Sequence, residues 1–257
     1  MRPVLFTIGR AEVHSYTVCM LAAVLLGGWL TYREAKRRMR LDESTLLVGS
    51  LTLVGGVVGA KLGMLVFLGP AEFWRQLPTL PAHGATFTGA LFGGYLGATV
   101  AERALKMDRC TGDLAAPFIP LGQAIGRVGN FLAGDAYGSP TSLPWGVDQA
   151  GTVRHPAQLY EAVLDLLLFA FLWRWRYRSF RDGELFRIYV VGYALIRFPL
   201  EFLRYQPTPV DFLGLTLVQW LCLGTVLWVG VQFLRRRRQA GASALVPSLG
   251  CPGVSAG

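Results

Sequence analysis

The chain has 257 residues, 53% of them hydrophobic and 16% charged, against roughly 25% charged in an ordinary soluble domain, and its mean hydropathy is +0.41. So little polar surface cannot face water on all sides, which excludes a soluble globular domain and points to an integral membrane protein. The net charge of +9 does not signal a nucleic-acid binder, because the basic residues are distributed along the chain as a topology signal.

Apolar stretches of about 18–24 residues, each long enough to cross a ~30 Å hydrocarbon core as a helix, fall at 13–31, 46–68, 86–106, 113–132, 157–175, 187–204 and 212–234. The expected fold is all-α, a polytopic membrane helix bundle with about seven transmembrane helices. Gly, Pro or a charge interrupts the third, fourth and sixth stretches. In the second, Gly55, Gly59 and Gly63 recur at every fourth position, as do Gly89, Gly93 and Gly97 in the third. That spacing lets two membrane helices meet backbone to backbone.

Basic residues follow alternate spans. Arg33, Lys36, Arg37, Arg38 and Arg40 come after the first, and Arg103, Lys106 and Arg109 after the third. Arg174, Arg176, Arg178, Arg181 and Arg187 flank the fifth loop, and Arg235, Arg236, Arg237 and Arg238 end the seventh span. Seventeen of the 25 Lys and Arg thus fall on one side, against Arg2, Arg10, Arg75, Arg154 and Arg204 on the other. The positive-inside rule then puts the N-terminus outside and the C-terminus in the cytoplasm. The first basic cluster follows the first apolar run, with no small-residue cleavage site between them, so no secretory signal peptide is expected. Residues 1–238 read as one transmembrane domain. Residues 239–257 are rich in small residues, lack periodicity and are expected to form a disordered cytoplasmic tail. Cys19, Cys110, Cys222 and Cys251 lie at different predicted depths and indicate neither a disulfide framework nor a metal site.

Lys61, Arg127 and Arg197 remain, all within predicted spans. On insertion scales each such charge costs at least about 2.5–3.5 kcal/mol unless it faces the bundle interior or water. On the sixth span Tyr193, Arg197 and Glu201 recur at i, i+4 and i+8, with Arg204 three further on, so one helix face carries a polar stripe. The other polar residues gather at the same predicted outer ends: His14 and Tyr16, His83, then Arg127, Asn130 and Asp135 in "GRVGNFLAGD". The outer loop adds "RHPAQLYE", with Arg154, His155, Gln158, Tyr160 and Glu161. Structural ion pairs alone would have no reason to choose one leaflet. A transporter or channel, the alternative class, would string polar residues across both leaflets, whereas here the cytoplasmic halves are nearly uncharged. The pattern reads as a one-sided ligand site in which Gly126 and Gly129 permit close backbone approach and the planar fork of Arg127 suits a phosphate.

The stretch "GRVGNFLAGDAYGSPTSLPWG", residues 126–146, resembles the signature of the prolipoprotein diacylglyceryl transferases, bacterial membrane enzymes whose pattern runs G-R-x-G-N-F-x-N-G-E-x-x-G-x-x-T and then P-W. "HSY", "GAKLG", "RHPAQLYEA" and "YALIRFPLEFLR" are similar to further blocks of the family, in the same order, so the resemblance covers most of residues 10–206. It implies transfer of the diacylglyceryl group of phosphatidylglycerol to the lipobox cysteine thiol of a preprolipoprotein, at the outer face of the bacterial inner membrane. A thioether forms and glycerol phosphate leaves. No cofactor and no metal are implied, and the partners are phosphatidylglycerol, lipobox peptides and membrane lipid. The departing phosphate needs fixed cations, and a thiol with a pKa of about 8.5 needs a base or a positive field.

Tyr16, Arg127, Asn130, Gly134, Gly138, Tyr193, Arg197, Glu201 and Arg204 stand where the family pattern expects them. The resemblance implies catalytic roles for Arg127, Arg197, Glu201, Asp135 and Tyr16. It implies substrate-binding roles for Asn130, Gly134, Gly138, His14, Thr88, Tyr193 and Arg204, with Arg154, His155, Gln158 and Tyr160 from the loop block. The departures are Asp135 for Glu, Ala133 for Asn, Lys61 for Arg, Ala90 for Gly and, most consequential, Thr88 for a histidine. A threonine cannot act as a base near neutral pH. The surviving arginines and acid favour a working transferase with its base elsewhere, at His83, His14, Asp135 or Glu201. The alternatives are a paralogue with another substrate and a non-catalytic lipid-binding member.

Overall fold

A computed structural model describes residues 2–8, 11–63, 72, 74–75, 86–108, 110–149, 151–178, 180–205 and 213–244, apart from the side chains of residues 8, 11, 87, 88 and 236–244. An antiparallel hairpin of β1 (Val4–Ile8) and β2 (Ala11–His14) leads into α1 (Ser15–Arg37). Next come α2 (Glu43–Leu62), α3 (Phe87–Ala104), the short α4 (Gly112–Ala115) and α5 (Ile119–Ala133). A second hairpin, β3 (Val147–Gln149) and β4 (Thr152–Arg154), precedes α6 (Ala157–Trp175), α7 (Glu184–Leu200), a 3₁₀ turn (Glu201–Leu203) and α8 (Leu217–Ala244). Helix α1 packs on α5, α5 on α6, α6 on α7 and α7 on α8, while α2 and α3 pack against each other. His83 and residues 245–257 of the predicted tail lie outside the described residues.

The distribution of polarity is inverted relative to a soluble protein. Leu21, Leu25, Leu53, Val57, Leu167, Leu195 and Leu227 point outward, while Gln123, Gln158, Glu161, Asp165, Arg197, Glu201 and Gln219 are buried. Helices α1, α2 and the Leu217–Arg235 part of α8 are long and apolar enough to cross a membrane. Lipid is the solvent that selects this arrangement, since apolar side chains can face it and polar groups must find partners inside. The chain is therefore a mostly helical membrane protein.

The fourth apolar stretch differs in form from its expected single span. Pro117 separates α4 from α5, and Pro120 sits in the first turn of α5, where the missing N–H is harmless. Helix α5 keeps 15 residues, about 22 Å at 1.5 Å per residue. Helix α7 closes on Pro199, which cannot donate to the preceding turn. The chain tightens there into the 3₁₀ turn that carries Glu201.

At the opposite end of these helices, charges tie the chain together. Glu34 is buried between Arg37, Arg38 (2.7 Å) and Arg176 (3.7 Å). The guanidinium of Arg176 lies 3.4 Å from the centroid of Trp173. Arg40 pairs with Asp182 at 3.1 Å. Asp113, on α4, accepts from the backbone N–H of Gly183 (2.7 Å) and Phe186 (2.8 Å), capping α7 from another part of the chain. Cys19, Cys110 and Cys222 are free thiols, and burial beside Glu102 pushes the Cys110 thiol up from its usual range.

The α2–α3 contact is built on the glycine spacing. A Cβ on Gly59 would run into the carbonyl oxygen of Gly89, and one on Gly93 into that of Gly55. At Gly56, on a neighbouring face, the nearest atom is the Ala90 carbonyl oxygen at an ordinary 3.5 Å. Overpacking costs about 1–3 kcal/mol, and each kcal/mol moves the midpoint roughly 2–4 °C for a chain of this size. Gly59→Ala should therefore lower the thermal midpoint of the detergent-solubilised protein by several degrees, while Gly56→Ala leaves it nearly unchanged. Equal midpoints for both variants would contradict the close packing.

Candidate active site

The C-terminal end of α5, the start of α6 and the end of α7 converge at one end of the bundle. Arg127 sits on α5 and is mostly covered. Its Nη2 reaches Glu161 Oε1 on α6 at 2.8 Å, and its Nη1 donates to Asn130 Oδ1, one turn on, at 3.4 Å. The same Glu161 oxygen accepts from the Tyr193 hydroxyl on α7 at 3.3 Å. One carboxylate therefore joins three helices. Arg197 and Glu201, one helical turn apart as the sequence spacing requires, pair at 2.5 Å with both side chains buried. The Thr216 hydroxyl, just before α8, donates to Glu201 Oε1 at 3.4 Å. Arg197 Nη1 is buried without a hydrogen-bond partner.

Arg127, Ala136, Ala157, Gln158, Glu161, Leu200 and Arg204 line a narrow, closely packed crevice. Arg204 has no carboxylate within ion-pair distance among the described residues, although Arg127, Arg197, Glu161 and Glu201 all lie within its electrostatic reach. Two guanidinium groups thus border one small space, and one of them has no carboxylate within ion-pair distance among the described residues. Such a space suits an anion with planar or tetrahedral oxygens, because each fork offers several N–H donors already withdrawn from water.

The neighbouring loops fix this geometry. Gly134 ends α5 in the left-handed region at φ 80°, with its N–H on the Asn130 carbonyl at 3.0 Å. Gly138 forms an isolated antiparallel bridge with Arg204, and a Cβ there would run into the His155 carbonyl. The Ser139 N–H reaches the Leu203 carbonyl at 2.8 Å, and the Tyr205 N–H reaches the Tyr137 carbonyl at 2.9 Å. These bonds bind the loop after α5 to the 3₁₀ turn after α7. Arg154 reinforces them by donating to the Gln149 and Gly138 carbonyls, each at 3.3 Å, and by stacking 4.6 Å above the Tyr205 ring.

The sequence-predicted residues therefore divide into groups. Arg127, Asn130, Gln158, Tyr193, Arg197, Glu201 and Arg204 come together. Tyr16, half-buried in the first turn of α1, lies within electrostatic reach of Arg127 and of Asp135. Asp135 is exposed just beyond α5. His155 and Tyr160 form a separate pair at 3.4 Å, with Trp145 Nε1 donating to the Tyr160 hydroxyl at 2.8 Å. His14 is exposed on β2, 4.0 Å from Glu12. The side chain of Thr88, in the first turn of α3, lies outside the described residues.

Two members of the cluster had no role in the sequence reading. Glu161 appears there only as part of a loop block. Asp165, one turn further along α6, was passed over inside an apolar run. Asp165 is fully buried with neither carboxyl oxygen hydrogen-bonded, within electrostatic reach of Glu161, Arg127 and Arg197. The available signal was the i, i+4 recurrence of acids in "LYEAVLDLLL".

Fold and site together define a helical membrane protein that buries arginine–carboxylate pairs at one end of its bundle. Residues 3–235 match the family model described as prolipoprotein diacylglyceryl transferase. The chain is 36% identical to the phosphatidylglycerol–prolipoprotein diacylglyceryl transferase of Rhodospirillum rubrum, over 92% of each chain. It is 34% identical to the enzyme of that name from Aromatoleum aromaticum, over 92% of this chain and 95% of the relative, and 34% identical to that from Nitratidesulfovibrio vulgaris, over 93% and 94%. The chain belongs to the prolipoprotein diacylglyceryl transferase family.

Removing one partner of a buried ion pair costs about 3–5 kcal/mol in a soluble core. Glu161→Gln and Glu201→Gln are each expected to lower thermal stability in detergent, because Glu161 anchors Tyr193 as well as Arg127 and Glu201 anchors Thr216 as well as Arg197. Pairing Glu161→Gln with Arg127→Met should recover part of the loss. Strictly additive losses in that double-mutant cycle would contradict the pairing.

Proposed function

We propose that this chain transfers the diacylglyceryl group of phosphatidylglycerol to the lipobox cysteine thiol of preprolipoproteins. The observation that carries the reading is the crevice bordered by Arg127 and Arg204, next to Arg197, in a chain of this family. In the reaction the thiol sulfur bonds to the glyceryl carbon and the carbon–oxygen bond to phosphate breaks. Glycerol phosphate then departs with the electron pair, and the thiol proton is taken up by a base.

Arg127, Arg197 and Arg204 hold the phosphate and stabilise its growing charge in a site shielded from water. Arg197 Nη1 supplies a buried donor without a hydrogen-bond partner, and Arg204 supplies a guanidinium with no carboxylate within ion-pair distance among the described residues. Glu161 and Glu201 orient the first two arginines, and Tyr193 and Asn130 hold Arg127 in place. Asp135 and Tyr16 stand at the mouth. Asp135 is the exposed carboxylate of the set, so it is the base that a thiol arriving from water can reach; Glu161 and Glu201 are covered. His14, exposed and beside Glu12, is the weaker candidate.

The site faces the outer side of the bacterial inner membrane, and seven spans bring the N-terminus outside and the C-terminus into the cytoplasm. This orientation is supported by the basic residues Arg37, Arg38, Arg40 and Arg176, which crowd the bundle end opposite the arginine crevice. The decisive test is complementation of a strain depleted of its own transferase, with thioether-modified lipoprotein detected by mass spectrometry. Accumulation of unmodified precursor despite normal membrane levels of this protein would refute the assignment.

An ammonium group cannot reproduce bidentate pairing with phosphate, so Arg127→Lys and Arg197→Lys should each lower kcat/KM at least a hundredfold, roughly the effect of removing one transition-state donor, in protein that still inserts and folds. Full activity in both variants would show that neither guanidinium handles the phosphate. Asp135→Asn should lower kcat by about 10²–10⁴-fold, the range of general-base catalysis, with little change in the KM for lipid. A rise in KM alone would assign Asp135 to binding.

A further inference from the structure

Gln158 opens α6 and is 2% exposed. Its Nε2 donates to the Asp135 carbonyl oxygen at 2.7 Å. A carbonyl oxygen can only accept, so this bond fixes which end of the amide is nitrogen. The other end, Oε1, is buried and has no hydrogen-bond partner. A buried amide oxygen left unsatisfied typically costs about 1–3 kcal/mol, and here it belongs to a residue lining the same crevice as Arg127 and Arg204.

The crevice is thus bordered by two arginines and by a side chain that carries one unpaired, immobilised acceptor. The donors suit phosphate oxygens. The acceptor suits a group that carries an O–H or N–H close to a phosphate. Glu161, the other oxygen-bearing side chain in the lining, already accepts from Arg127 and Tyr193. Gln158 Oε1 is neutral, so it favours a neutral hydroxyl donor without the charge attraction that a carboxylate would extend to an ammonium headgroup.

We propose that Gln158 is the specificity-determining residue for the lipid headgroup, with its Oε1 accepting a hydrogen bond from a hydroxyl of the phosphate-linked glycerol. The proposal rests on the transferase reading above. It goes beyond that reading by assigning the unpaired Oε1 to the headgroup hydroxyl rather than to phosphate or thiol. A site built to bond a substrate hydroxyl discriminates against the analogue that lacks it, because the buried acceptor is then left unpaired.

The test compares kcat/KM for phosphatidylglycerol and for phosphatidylpropanol, which keeps the phosphodiester and loses both headgroup hydroxyls. Wild type should favour phosphatidylglycerol by at least about tenfold, the factor one net hydrogen bond supplies. In Gln158→Met and Gln158→Ala that ratio should collapse toward one. In Gln158→Glu, which keeps an acceptor oxygen, the ratio should persist even where both rates fall. No preference in wild type, or an unchanged ratio in the Met and Ala variants, overturns the proposal, since a merely structural glutamine would depress both lipids alike. Calorimetric binding of sn-glycerol 1-phosphate and propyl phosphate to the detergent-solubilised wild type separates the two readings. Preferential binding of glycerol phosphate by protein that fails to turn over either lipid would sink the transferase assignment and leave this one standing.

Discussion

A guanidinium group moved from water into a membrane-embedded bundle loses hydration that only a nearby carboxylate and a full set of acceptors can replace. Arg127 and Arg197 both face this constraint, and the packing of three helices follows from how it is met. Glu161 crosses from α6 to Arg127 on α5 and also takes the Tyr193 hydroxyl from α7, so these helices cannot separate at this end without exposing a charge to lipid. Glu201 reaches back one turn to Arg197 and is steadied by Thr216, which brings the start of α8 to the same point. Asp165 lies one turn deeper, covered and without a hydrogen bond, so the cluster extends into the bundle beyond the crevice itself.

Meeting that constraint places demands on the backbone. Helix α5 has to stop soon after Arg127, and Gly134 achieves this with a left-handed residue at the helix end. The chain must then pass close under the start of α6, where only a residue without a Cβ fits against His155, and Gly138 stands there. Pro199 ends α7 so that Glu201 and Arg204 project from a tighter turn rather than continuing around a helix. Arg154 spends its donors on two carbonyls and its face on Tyr205, so it acts as a brace of the β3–β4 hairpin against the 3₁₀ turn. At the far end of the bundle, Asp113 and Glu34 hold α7, α1 and α6 in the register that delivers these groups.

Some of this was legible in the sequence, and the limit has a physical form. The Arg197–Glu201 pair could be read directly because both residues lie on one helix, where a separation of four fixes their proximity. The glycine ridges of α2 and α3 could be read because close approach leaves a repeat in the sequence itself. The partner of Arg127 could not, since Glu161 lies on another helix and periodicity says nothing about which face meets which. Asp165 was hidden by the apolar residues around it, which dominate any hydropathy average. The β1–β2 hairpin fell partly inside an apolar stretch that hydropathy assigns to a span, while α1 runs on to Arg37 because Arg and Lys are good helix formers whose long stems can reach the interface. The split between α4 and α5 turns on Pro117, a single residue that a smoothed profile suppresses. The family resemblance located Gln158 without indicating which of its two polar ends was free, because that depends on a carbonyl 23 positions away.

The crevice between Arg127 and Arg204 is narrow, and its narrowness bears on how such a site can take an anion without first admitting water. Among the described residues Arg204 has no carboxylate within ion-pair distance and Arg197 keeps a buried donor without a hydrogen-bond partner, so the desolvation of these cations is met by the folding of the bundle. On the proposed function, a phosphodiester arriving from the lipid would supply the missing member of these pairs. On that proposal, as the carbon–oxygen bond breaks and the phosphate gains negative charge, the same donors would strengthen their hold without having to reorient, which is the condition under which fixed dipoles and charges lower a barrier. A site whose arginines were all saturated by carboxylates would be more stable and would have no vacancy for the phosphate. On the proposed function, the incomplete pairing of Arg197 and Arg204 among the described residues is the feature that would convert a structural ion cluster into one able to bind and release an anionic group.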